Sequence, residues 1–439
     1  MARLLEGHTG VWGEPGTGKT LPAVRAGALL GLPQLWVTHA ELRQQAARVL
    51  QAERDDRPRI QVITSGRDIV DPQADAVVVS YDLMRDLKIW RQLFGLSWGS
   101  IVCDEAHALK NTGSVRTRAF YGAQLGSKGA LYRRSPNVWL LTGTPILNNP
   151  ADLWPHVSRL WPEWLPEPHT KAKWIEEYCI ERQTHYGMQI VGARNTDRLN
   201  EMLRAVGTFQ RLELDQRLDL DEIEVEFTPA DLREIEAAST PQQWAEVEAL
   251  FAGHEEADAD DRAHMQLEAR MLPLTKARRV LGLIKARSIA KQAALELDGG
   301  LGQIIVWGHH VEALQHCAAA LRGYGCGLLS GGTPRALRES MVREFTQGRL
   351  RALVASAAVA GTGLDGLQCC HRAILLEPAW VPGSNTQTIR RLYRIGQRHP
   401  VHVSFATAPG FAPDEAINRT LIRKAALIAA ITETDHAHV

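Results

Sequence analysis

Short apolar runs recur in the first and last thirds of the chain, each followed by a longer stretch with helical spacing. Nearly every residue in these runs is apolar, rather than every second one, which is typical of strands buried on both faces of a parallel sheet. Helical periodicity is clear over residues 40–54 and 334–345. This alternation predicts an α/β fold with parallel sheets. The predicted strands cover residues 35–37, 76–81, 100–103, 138–141, 303–307, 327–329, 351–355, 373–376 and 401–406.

The middle of the chain has a different pattern, because helical signals dominate over residues 161–298 and strand signals are few. Within it, residues 162–170 are rich in proline and residues 253–262, GHEEADADDR, form an acidic run. We expect that run to be a solvated loop or helix face, with a binding surface as the alternative. The pattern therefore predicts two α/β lobes, residues 1–160 and 299–439, separated by a mainly helical insertion.

Composition and charge narrow the class of protein. Of 439 residues, 45% are hydrophobic and 23% are charged, which is typical of globular domains and excludes disorder over most of the chain. Lys and Arg total 50, as do Asp and Glu, so a uniformly basic coat is excluded but a local basic groove is not. Six cysteines without a CxxC pair argue against a disulfide scaffold and a structural zinc site. No apolar run approaches the ~18 residues that cross a bilayer and no signal peptide is evident, so we expect a cytoplasmic protein without a membrane partner.

Residues 11–20, VWGEPGTGKT, contain a glycine-rich segment that fits the pattern GxxxxGK[ST]. Glycines let main-chain N–H groups surround phosphate oxygens without Cβ clashes, and the following helix points its positive end at them. In this pattern Lys19 contacts the β- and γ-phosphates and Thr20 binds Mg²⁺, so ATP and Mg²⁺ are the predicted ligands. The alternative is a chance glycine-rich turn. The predicted phosphate-binding residues are Gly13, Glu14, Pro15, Gly16, Thr17, Gly18, Lys19 and Thr20.

An acidic segment follows a predicted buried strand in residues 100–111, SIVCDEAHALKN. An apolar strand that ends in acids is the Walker B arrangement of nucleotide hydrolases. In that arrangement Asp104 holds Mg²⁺, directly or through water, and Glu105 polarises the attacking water. The alternative is a solvated acidic turn, which the phosphate-binding pattern upstream in the same lobe makes less favourable.

At DEAHALKN the chain resembles the Swi/Snf-type DNA-dependent ATPases of helicase superfamily two, whose motifs continue in order along nearly its whole length. LWVTHAELRQQAARVL (35–50) is similar to motif Ia, VVVSYDLM (77–84) to a DNA-contacting motif, and LLTGTPILNNPADLW (140–154) to motif III. IIVWGHH (304–310) resembles motif IV, and the tail DEAINRTLIRKAALI (414–428) resembles a helix that braces the lobes. The loop and helix after motif IV, motif V and motif VI are matched by SGGTPRALRESMVREF (330–345), SAAVAGTGLDGL (356–367) and EPAWVPGSNTQTIRRLYRIGQR (377–398).

Within that family, the His-His pair of motif IV and the segment YCIERQTHYGMQIVGARNTDRLNEML (178–203) are similar to the annealing-helicase-like branch. The resemblance implies two RecA-like lobes. No accessory domain is evident, so a single-motor protein of bacterial or phage origin is expected. Only 12 residues precede Gly13, too few for the family's adenine-reading Q motif. We therefore expect that adenine is read otherwise, that nucleotide selectivity is loose, or that the chain begins further upstream. Gly-Glu-Pro also replaces the frequent Asp-Glu-Met. Asp365, Gly366 and Val381 also stand where the family often has other residues.

The resemblance assigns roles to motifs V and VI. Arg394 is the expected arginine finger and Arg391 the second γ-phosphate contact, an arrangement that accelerates phosphoryl transfer about 10³–10⁵-fold in other nucleotide hydrolases. Gly363 and Asp365 of motif V are expected at the nucleotide. The alternative for the arginines is an exposed basic helix face, because residues 390–398 contain four of them.

Other family motifs imply residues that couple nucleotide to DNA. For the two threonines among them the alternative is ordinary hydrogen bonding at a strand end, and for the histidine it is a packing or capping role. The predicted coupling residues are His107, Thr142, Thr144 and Gln387.

The DNA contacts that the resemblance implies are mainly to phosphate, so binding is expected to be salt-sensitive and weakly dependent on sequence. Two of them have alternatives: core packing for Trp380, and an ordinary strand-end pair with His310 for His309. The predicted DNA-binding residues are Thr38, Tyr81, Arg85, His309, Thr333, Ser356 and Trp380.

The leading hypothesis is a monomeric motor that couples ATP hydrolysis to movement along double-stranded DNA, with partners in replication or recombination. The same motor serves a fork-remodelling or strand-annealing helicase, and the motifs do not decide between the two activities. A non-hydrolysing DNA-binding scaffold with a decayed ATPase fold is the third interpretation, which the missing Q motif favours. Against it, a full set of residues for hydrolysis is present: Lys19, Thr20, Asp104, Glu105, Arg391 and Arg394.

Overall fold

The chain folds into two compact units, one composed of residues within Met1–Glu181 and Gly192–Glu213 and the other within Arg182–Val191 and Leu214–Ala426. The predicted acidic run at 253–262 and most of the predicted brace helix lie outside the described residues. The computed structural model describes residues 1–14, 17–54, 57–125, 127–143, 145–146, 149–184, 187–210, 214–226, 228, 230, 263–360, 366–379, 382–409 and 414.

The first unit is built on a seven-stranded sheet in which every pairing is parallel. The strands of this sheet are β1 Thr9–Gly13, β2 Gln34–Thr38, β3 Ile60–Val62, β4 Ala76–Ser80, β5 Ser100–Asp104, β6 Val138–Thr142 and β9 Gly207–Gln210. Between β6 and β9 in sequence lie two further strands, β7 Cys179–Thr184 and β8 Gly187–Ala193. The order across the sheet is β3-β4-β2-β5-β6-β1-β9, and β7 pairs with β8 separately. Consecutive strands are thus often not neighbours, as expected when helical crossovers join parallel strands.

Helices join these strands, and several begin at side-chain caps. Asp86, for example, accepts hydrogen bonds from the main-chain N–H groups of Lys88 and Ile89 at 2.9 and 3.2 Å, which satisfies donors left over at a helix start. The helices are α1 Thr20–Leu30, α2 Arg43–Ala52, α3 Tyr81–Met84, α4 Leu87–Gly95, α5 Val115–Tyr121, α6 Trp154–Leu160, α7 Lys171–Tyr178 and α8 Thr196–Val206. Shorter 3₁₀ helices span Ala2–Glu6, Ala106–Leu109, Leu131–Arg134, Pro150–Leu153 and Pro162–Trp164.

Both faces of the first sheet are covered by helices, which explains why its strands are apolar throughout. Leu35 and Val37 of β2 belong to one buried cluster, together with Ile89 of α4. Trp36, between them in sequence, belongs to the opposite cluster with Val24 of α1. Successive residues of a strand point to opposite faces, so a sheet buried on both sides needs apolar residues at every position.

The second unit contains a six-stranded sheet, again entirely parallel in its pairings. Its order is β10-β15-β14-β11-β13-β12, with strands β10 Leu218–Glu224, β11 Ile304–Gly308, β12 Cys326–Leu329, β13 Ala352–Ser356, β14 Arg372–Leu375 and β15 Val401–Thr407. Helices α9 Ala263–Asp298, α10 Val311–Ala320, α11 Arg335–Thr346, α12 Ala357–Ala360 and α13 Pro382–Ile389 and 3₁₀ helices Arg322–Tyr324 and Leu367–Cys369 accompany it. None of the helices in the described part of the chain is both long and apolar enough to span a membrane.

The predicted α/β fold with two RecA-like lobes is confirmed, and each of the nine predicted strands is present within one residue of its predicted ends. Strands β1, β3, β7, β8, β9 and β10 were not predicted. The sequence signals of four of them are weak for visible reasons: β3 and β9 are short, and β1 contains two glycines. β10 lies at a sheet edge, where leucine alternates with aspartate along the strand. β7, β8, β9 and β10 all come from the segment predicted as mainly helical. The domain limits at 160 and 298 remain predictions.

Candidate nucleotide site at the strand ends of the first unit

The carboxyl ends of five parallel strands of the first unit meet at one edge of the sheet. Gly13, Thr38, Ser80, Asp104 and Thr142 are the last residues of β1, β2, β4, β5 and β6. Because β5 lies between β2 and β6, Asp104 has a strand-end threonine on each side. Ligands of open α/β sheets bind outside this edge, so these residues mark the candidate site.

The predicted phosphate loop joins β1 to α1 and is closed by hydrogen bonds to one carbonyl oxygen. The main-chain N–H and the hydroxyl of Thr17 donate to the Glu14 carbonyl at 3.2 and 2.8 Å. Lys19 Nζ donates to the same oxygen at 3.3 Å. Gly18 has a φ of 75°, a left-handed conformation that glycine adopts without Cβ strain. The chain thus makes a tight turn directly before the N-terminus of α1, where main-chain N–H groups bind anions.

Glycine at position 13 leaves room for the lysine of this loop. A Cβ there would lie 2.6 Å from Lys19 Cγ and 2.8 Å from Thr17 Oγ1, so any other residue would displace both. The Lys19 side chain is packed, with the residue only 8% exposed, and Thr20 begins α1 directly after it. Lys19 and Thr20 therefore lie together at the helix start, as the sequence pattern requires.

Strand β9 supports the loop in a way that the sequence did not reveal. The main-chain N–H of Glu14 donates to the carbonyl oxygen of Gln210, the last residue of β9, at 3.0 Å. The Thr17 hydroxyl is also 3.5 Å from Gln210 Oε1. A four-residue strand in a segment with helical signals has no sequence pattern strong enough to predict it.

Asp104 is held at two points by neighbouring strand ends. The Thr38 hydroxyl donates to Asp104 Oδ2 at 3.1 Å, and the Tyr81 hydroxyl donates to the Asp104 main-chain carbonyl at 2.9 Å. Burial and the nearby charge of Glu105 raise the pKa of Asp104 to about 6, against the opposing influence of Lys19 and the Thr38 hydrogen bond. A carboxyl group in this state gains most from an added cation, because the surrounding protein does not fully compensate its charge.

Glu105, Thr142 and His107 form a second group beside Asp104. His107 Nδ1 lies 3.4 Å from Glu105 Oε2 and 3.2 Å from the Thr142 hydroxyl. Glu105 has a φ of 52°, a left-handed conformation that is costly for a residue with a side chain and that is often found at functional sites. Two of the predicted coupling residues, His107 and Thr142, therefore contact each other, and His107 also contacts Glu105, which is predicted to polarise the attacking water.

The side chains of Thr38 and Tyr81 point toward Asp104, whereas the sequence predicted that they contact DNA. Both were predicted to bind DNA, but Thr38 is 0% exposed, Tyr81 is 1% exposed, and both side chains donate hydrogen bonds to Asp104. Arg85, the third such residue in this unit, is half exposed and lies 3.5 Å from Asp82 Oδ1. Their DNA-binding role remains a prediction, and for the two buried side chains the observed contacts favour a role at the nucleotide site.

The predicted site residues of the second unit lie at its strand ends and near α13. Ser356 ends β13 and is buried, whereas His309 follows β11 and is exposed. The Thr333 hydroxyl accepts a hydrogen bond from the Ser330 main chain at 3.0 Å. Half-buried residues of α13 and the turn that follows it are Gln387, Arg391 and Arg394. Predicted site residues outside the described part of the chain are Pro15, Gly16, Thr144, Gly363, Asp365 and Trp380.

Glu377 is a buried acid that organises the histidine pair and that sequence reasoning missed. Its Oε2 accepts hydrogen bonds from the main-chain N–H groups of His309 and His310, both at 2.9 Å, and its Oε1 lies 2.6 Å from His310 Nδ1. Burial opposes ionisation, but the hydrogen bonds from His310 outweigh it and lower the pKa of Glu377. A Cβ at Gly282 of α9 would lie 2.5 Å from Glu377 Oε1, so the helix packs directly over this carboxylate.

Gln397 holds the turn that follows Arg394. Its Nε2 donates to the carbonyl oxygens of Cys370 and Leu392 at 3.0 and 3.2 Å, and its Oε1 accepts from the main-chain N–H of Arg398 at 2.8 Å. The side chain thus replaces backbone partners that this turn lacks. The sequence match places Gln397 in motif VI, and the structure assigns it a scaffolding role there.

Comparison with known families matches both units of the chain. Residues 34–210 match the SNF2-related domain, and residues 289–396 match the helicase conserved C-terminal domain. These two domains place the chain among the ATPases of helicase superfamily two. The first match begins after the phosphate loop, so the loop is supported by its own geometry.

Curated relatives are about one quarter identical to this superfamily-two chain over the aligned residues. The "SWI/SNF-related matrix-associated actin-dependent regulator of chromatin subfamily A-like protein 1" of Xenopus tropicalis is 26% identical over 418 residues, or 93% of this chain and 41% of that protein. The "DNA annealing helicase and endonuclease ZRANB3" of Bos taurus is 24% identical over 317 residues, or 71% of this chain and 28% of that protein. The chain therefore spans less than half the length of these relatives.

The helicase domain of Hef from Pyrococcus furiosus has a similar fold. It matches with a TM-score of 0.51 and 14% identity, covering 95% of this chain and 96% of that one. At this identity the likeness shows the fold alone.

Proposed function

We propose that this chain is an ATP-driven motor that moves along double-stranded DNA. The observation that carries the proposal is the cluster of Lys19, Asp104 and Glu105 at one sheet edge of a superfamily-two ATPase. A phosphate-binding lysine, a metal-binding carboxylate and a base are the parts that nucleotide hydrolysis requires. A scaffold with a decayed site has no need to keep all three together.

The donor groups of the site fit Mg²⁺. Mg²⁺ usually binds through one or two carboxylates together with substrate phosphates and water, rather than in an all-protein cage. Asp104 offers one such carboxylate and Thr20 a hydroxyl, and no group of three or more His, Cys, Asp or Glu residues suited to a metal occurs in the described ranges. When bound with ATP, Mg²⁺ neutralises negative charge on the β- and γ-phosphate oxygens.

The protein groups then have separate tasks in hydrolysis. Lys19 and the main chain of the phosphate loop bind the phosphates, and Thr20 and Asp104 bind Mg²⁺. Glu105 orients the attacking water and accepts its proton, since its carboxylate stands next to Asp104 and contacts His107. Arg391 and Arg394 are proposed as the arginines that stabilise charge on the transferring phosphoryl group.

Double-stranded DNA is the polymer along which we propose that the motor moves. The relatives include one named as a DNA annealing helicase, so fork remodelling or strand annealing is the second candidate activity for this motor. The contacts proposed for DNA are mainly to phosphate, among them Arg85 and His309, and binding should weaken steeply with salt. Partners in replication or recombination, a monomeric state and a bacterial or phage origin remain predictions from the sequence.

Steady-state ATP hydrolysis tests the proposal directly. The rate would be measured without DNA and with single strands, blunt duplex or forked duplex, using Lys19→Ala as the blank. Strong stimulation by blunt duplex supports movement on intact DNA, and stimulation mainly by forks supports fork remodelling. Tight ATP binding with no stimulation by any DNA would exclude a DNA motor. A fork-rewinding assay then separates annealing from translocation.

A further inference from the structure

Two strand-end hydroxyls of the first unit converge on Asp104, one on its side chain and one on its main chain. Thr38 ends β2 and its hydroxyl donates to Asp104 Oδ2 at 3.1 Å. Tyr81 follows β4 and its hydroxyl donates to the Asp104 carbonyl oxygen at 2.9 Å. Both donors are buried, so water does not replace these hydrogen bonds easily.

Strands β2 and β5 are also tied together at their other end. Gln34 Nε2 donates to the Ser100 hydroxyl at 3.0 Å, and Gln34 and Ser100 are paired in the sheet register. The same register pairs Val37 with Cys103, which brings the next residues, Thr38 and Asp104, side by side. The contact between Thr38 and Asp104 is therefore built into two fixed strands rather than into a loop.

A hydrogen bond to one carboxylate oxygen determines how the other is presented. The terminal torsion of an aspartate is broad, so an unheld carboxylate rotates readily about its Cβ–Cγ bond. The Thr38 hydroxyl occupies a lone pair of Oδ2 and so limits that rotation. Outer partners of metal-binding carboxylates have a measurable effect, because their loss typically lowers metal affinity about 10–100-fold.

We propose that Thr38 is a positioning residue that orients the Asp104 carboxylate toward Mg²⁺ at the nucleotide site. The proposal rests on the proposed function, since it takes the site to bind a Mg²⁺–nucleotide complex. It gives Thr38 a role on the nucleotide side of the sheet edge, in place of the DNA contact that the sequence predicts. Tyr81, by contrast, restrains only the main chain of Asp104.

The test uses the full chain in three variants. Thr38→Val keeps the shape of the side chain and removes the donor, Thr38→Ser keeps the donor, and Tyr81→Phe removes the main-chain contact alone. Binding of a fluorescent ADP analogue would be measured without DNA, first in chelator and then across a Mg²⁺ titration. Circular dichroism and the thermal midpoint show whether each variant is folded.

We expect Thr38→Val to raise the Mg²⁺ concentration for half-maximal binding about 10-fold or more, with unchanged affinity in chelator. Thr38→Ser should follow the native titration, and Tyr81→Phe should stay within about twofold of it. A titration unchanged in Thr38→Val would overturn the proposal, as would an equal loss of affinity in chelator. An equal shift in Tyr81→Phe would also overturn it, because general loosening of the strand ends would then explain both variants.

The same experiment separates this proposal from the proposed function. Nucleotide binding does not require hydrolysis, so the native chain can show a clear Mg²⁺ titration even where DNA fails to stimulate its ATPase activity. That outcome removes the DNA motor and leaves the role of Thr38 to be decided by its variants. A native chain that binds the ADP analogue without any Mg²⁺ dependence would overturn the role proposed for Thr38 and leave the DNA motor to be decided by ATP hydrolysis.

Discussion

The two units handle carboxylates near their strand ends in opposite ways. In the first unit, Asp104 accepts a hydrogen bond from the neutral hydroxyl of Thr38, and burial raises its pKa to about 6. In the second unit, Glu377 contacts His310, whose hydrogen bonds outweigh burial and lower the pKa of this acid. Asp104 ends β5 and Glu377 lies two residues after β14, so two sheets with the same parallel architecture differ in whether the protein compensates the charge of such an acid.

The second unit repeats this pairing elsewhere along α9. Arg372 forms a two-point hydrogen-bonded pair with Glu296 at 2.7 and 2.8 Å, which outweighs burial and lowers the pKa of the acid. Lys285 contacts Asp414 at 2.6 Å, with side chains only 2% and 5% exposed. These carboxylates pair with charged groups on or against a long helix, whereas the protein does not fully compensate the charge of Asp104, which is proposed to bind Mg²⁺. The comparison favours a site at the under-compensated acid Asp104 and a structural role for the paired acids Glu296 and Asp414.

Replacing Glu105, the proposed general base in the first unit, should give the largest effect. It tests whether the acids of this unit act in ATP hydrolysis. We expect Glu105→Gln to lower the kcat of ATP hydrolysis about 10²–10⁴-fold, because the amide no longer accepts a proton. Nucleotide affinity and the thermal midpoint should change little. Steady-state kinetics with saturating duplex DNA measures the loss, and Glu163→Gln in the 3₁₀ helix Pro162–Trp164 is a matched control at a surface acid. An unchanged kcat would favour the scaffold interpretation.

Breaking an ion pair of the second unit should give the largest change in stability. Lys285→Met leaves the Asp414 carboxylate buried without its cation, which should lower the free energy of unfolding by about 3–5 kcal/mol. Denaturant unfolding followed by circular dichroism measures the loss. Adding Asp414→Leu should recover part of it, because replacing both charges removes the desolvation penalty. If Lys285→Met alone were as stable as the native chain, the pair of Lys285 and Asp414 would not contribute to stability.

Matched acid-to-amide changes in the two units should have opposite signs. Glu377→Gln should cost about 1.5–3 kcal/mol near neutral pH, because hydrogen bonds to a charged group are lost. The depressed pKa of Glu377 means that its stabilisation disappears as pH falls through that value, so the two proteins should converge in acid. Asp104→Asn should instead stabilise the metal-free chain above about pH 6, by about 1–3 kcal/mol, since ionising the native acid there costs energy.

Unfolding curves at several pH values, without Mg²⁺, measure both changes. The Asp104→Asn variant should also lose the Mg²⁺-dependent part of nucleotide binding. Destabilisation by both substitutions would end the contrast between the two units.

A buried histidine extends the comparison to a base, and its effect near neutral pH should be the smallest because it appears only as the pH falls. His156 Nδ1 lies 2.9 Å from the Tyr121 hydroxyl, and burial lowers the pKa of His156 from 6.5 to about 3. The unfolded chain therefore binds one more proton between these values. The free energy of unfolding should fall by up to about 1.4 kcal/mol per pH unit as pH decreases through this range. His156→Asn, which keeps an acceptor for Tyr121, should show a shallower slope, and an identical slope would contradict the assignment.

The sequence predicted the parts of the site that are contiguous along the chain. The phosphate loop from Gly13 to Thr20 and the pair Asp104–Glu105 are local patterns, and the described residues among them lie at one sheet edge as expected. It did not predict that Gln210 supports the loop or that Glu377 holds the histidine pair. Both contacts join segments far apart in sequence, and short polar patterns do not indicate which segments meet.

Strand positions show the same division. Fully buried strands such as β2 and β13 need apolar residues at every position, so their sequences reveal them. Edge strand β10 has a polar side, and β9 is only four residues long, so their periodicity is weak. Helix ends are predictable where a cap such as Asp86 is present, because the capping contact is local.

Burial pattern and local motifs were enough to define two parallel α/β sheets, a phosphate loop and an acidic strand end, because each depends on residues close together in the chain. These local features did not reveal that the Thr38 side chain contacts Asp104. Its side chain meets Asp104 because β2 lies beside β5, although β3 and β4 come between them in sequence. Strand order is set by the packing of the whole sheet with its helices, and it decides which strand-end residues lie together at the proposed nucleotide site.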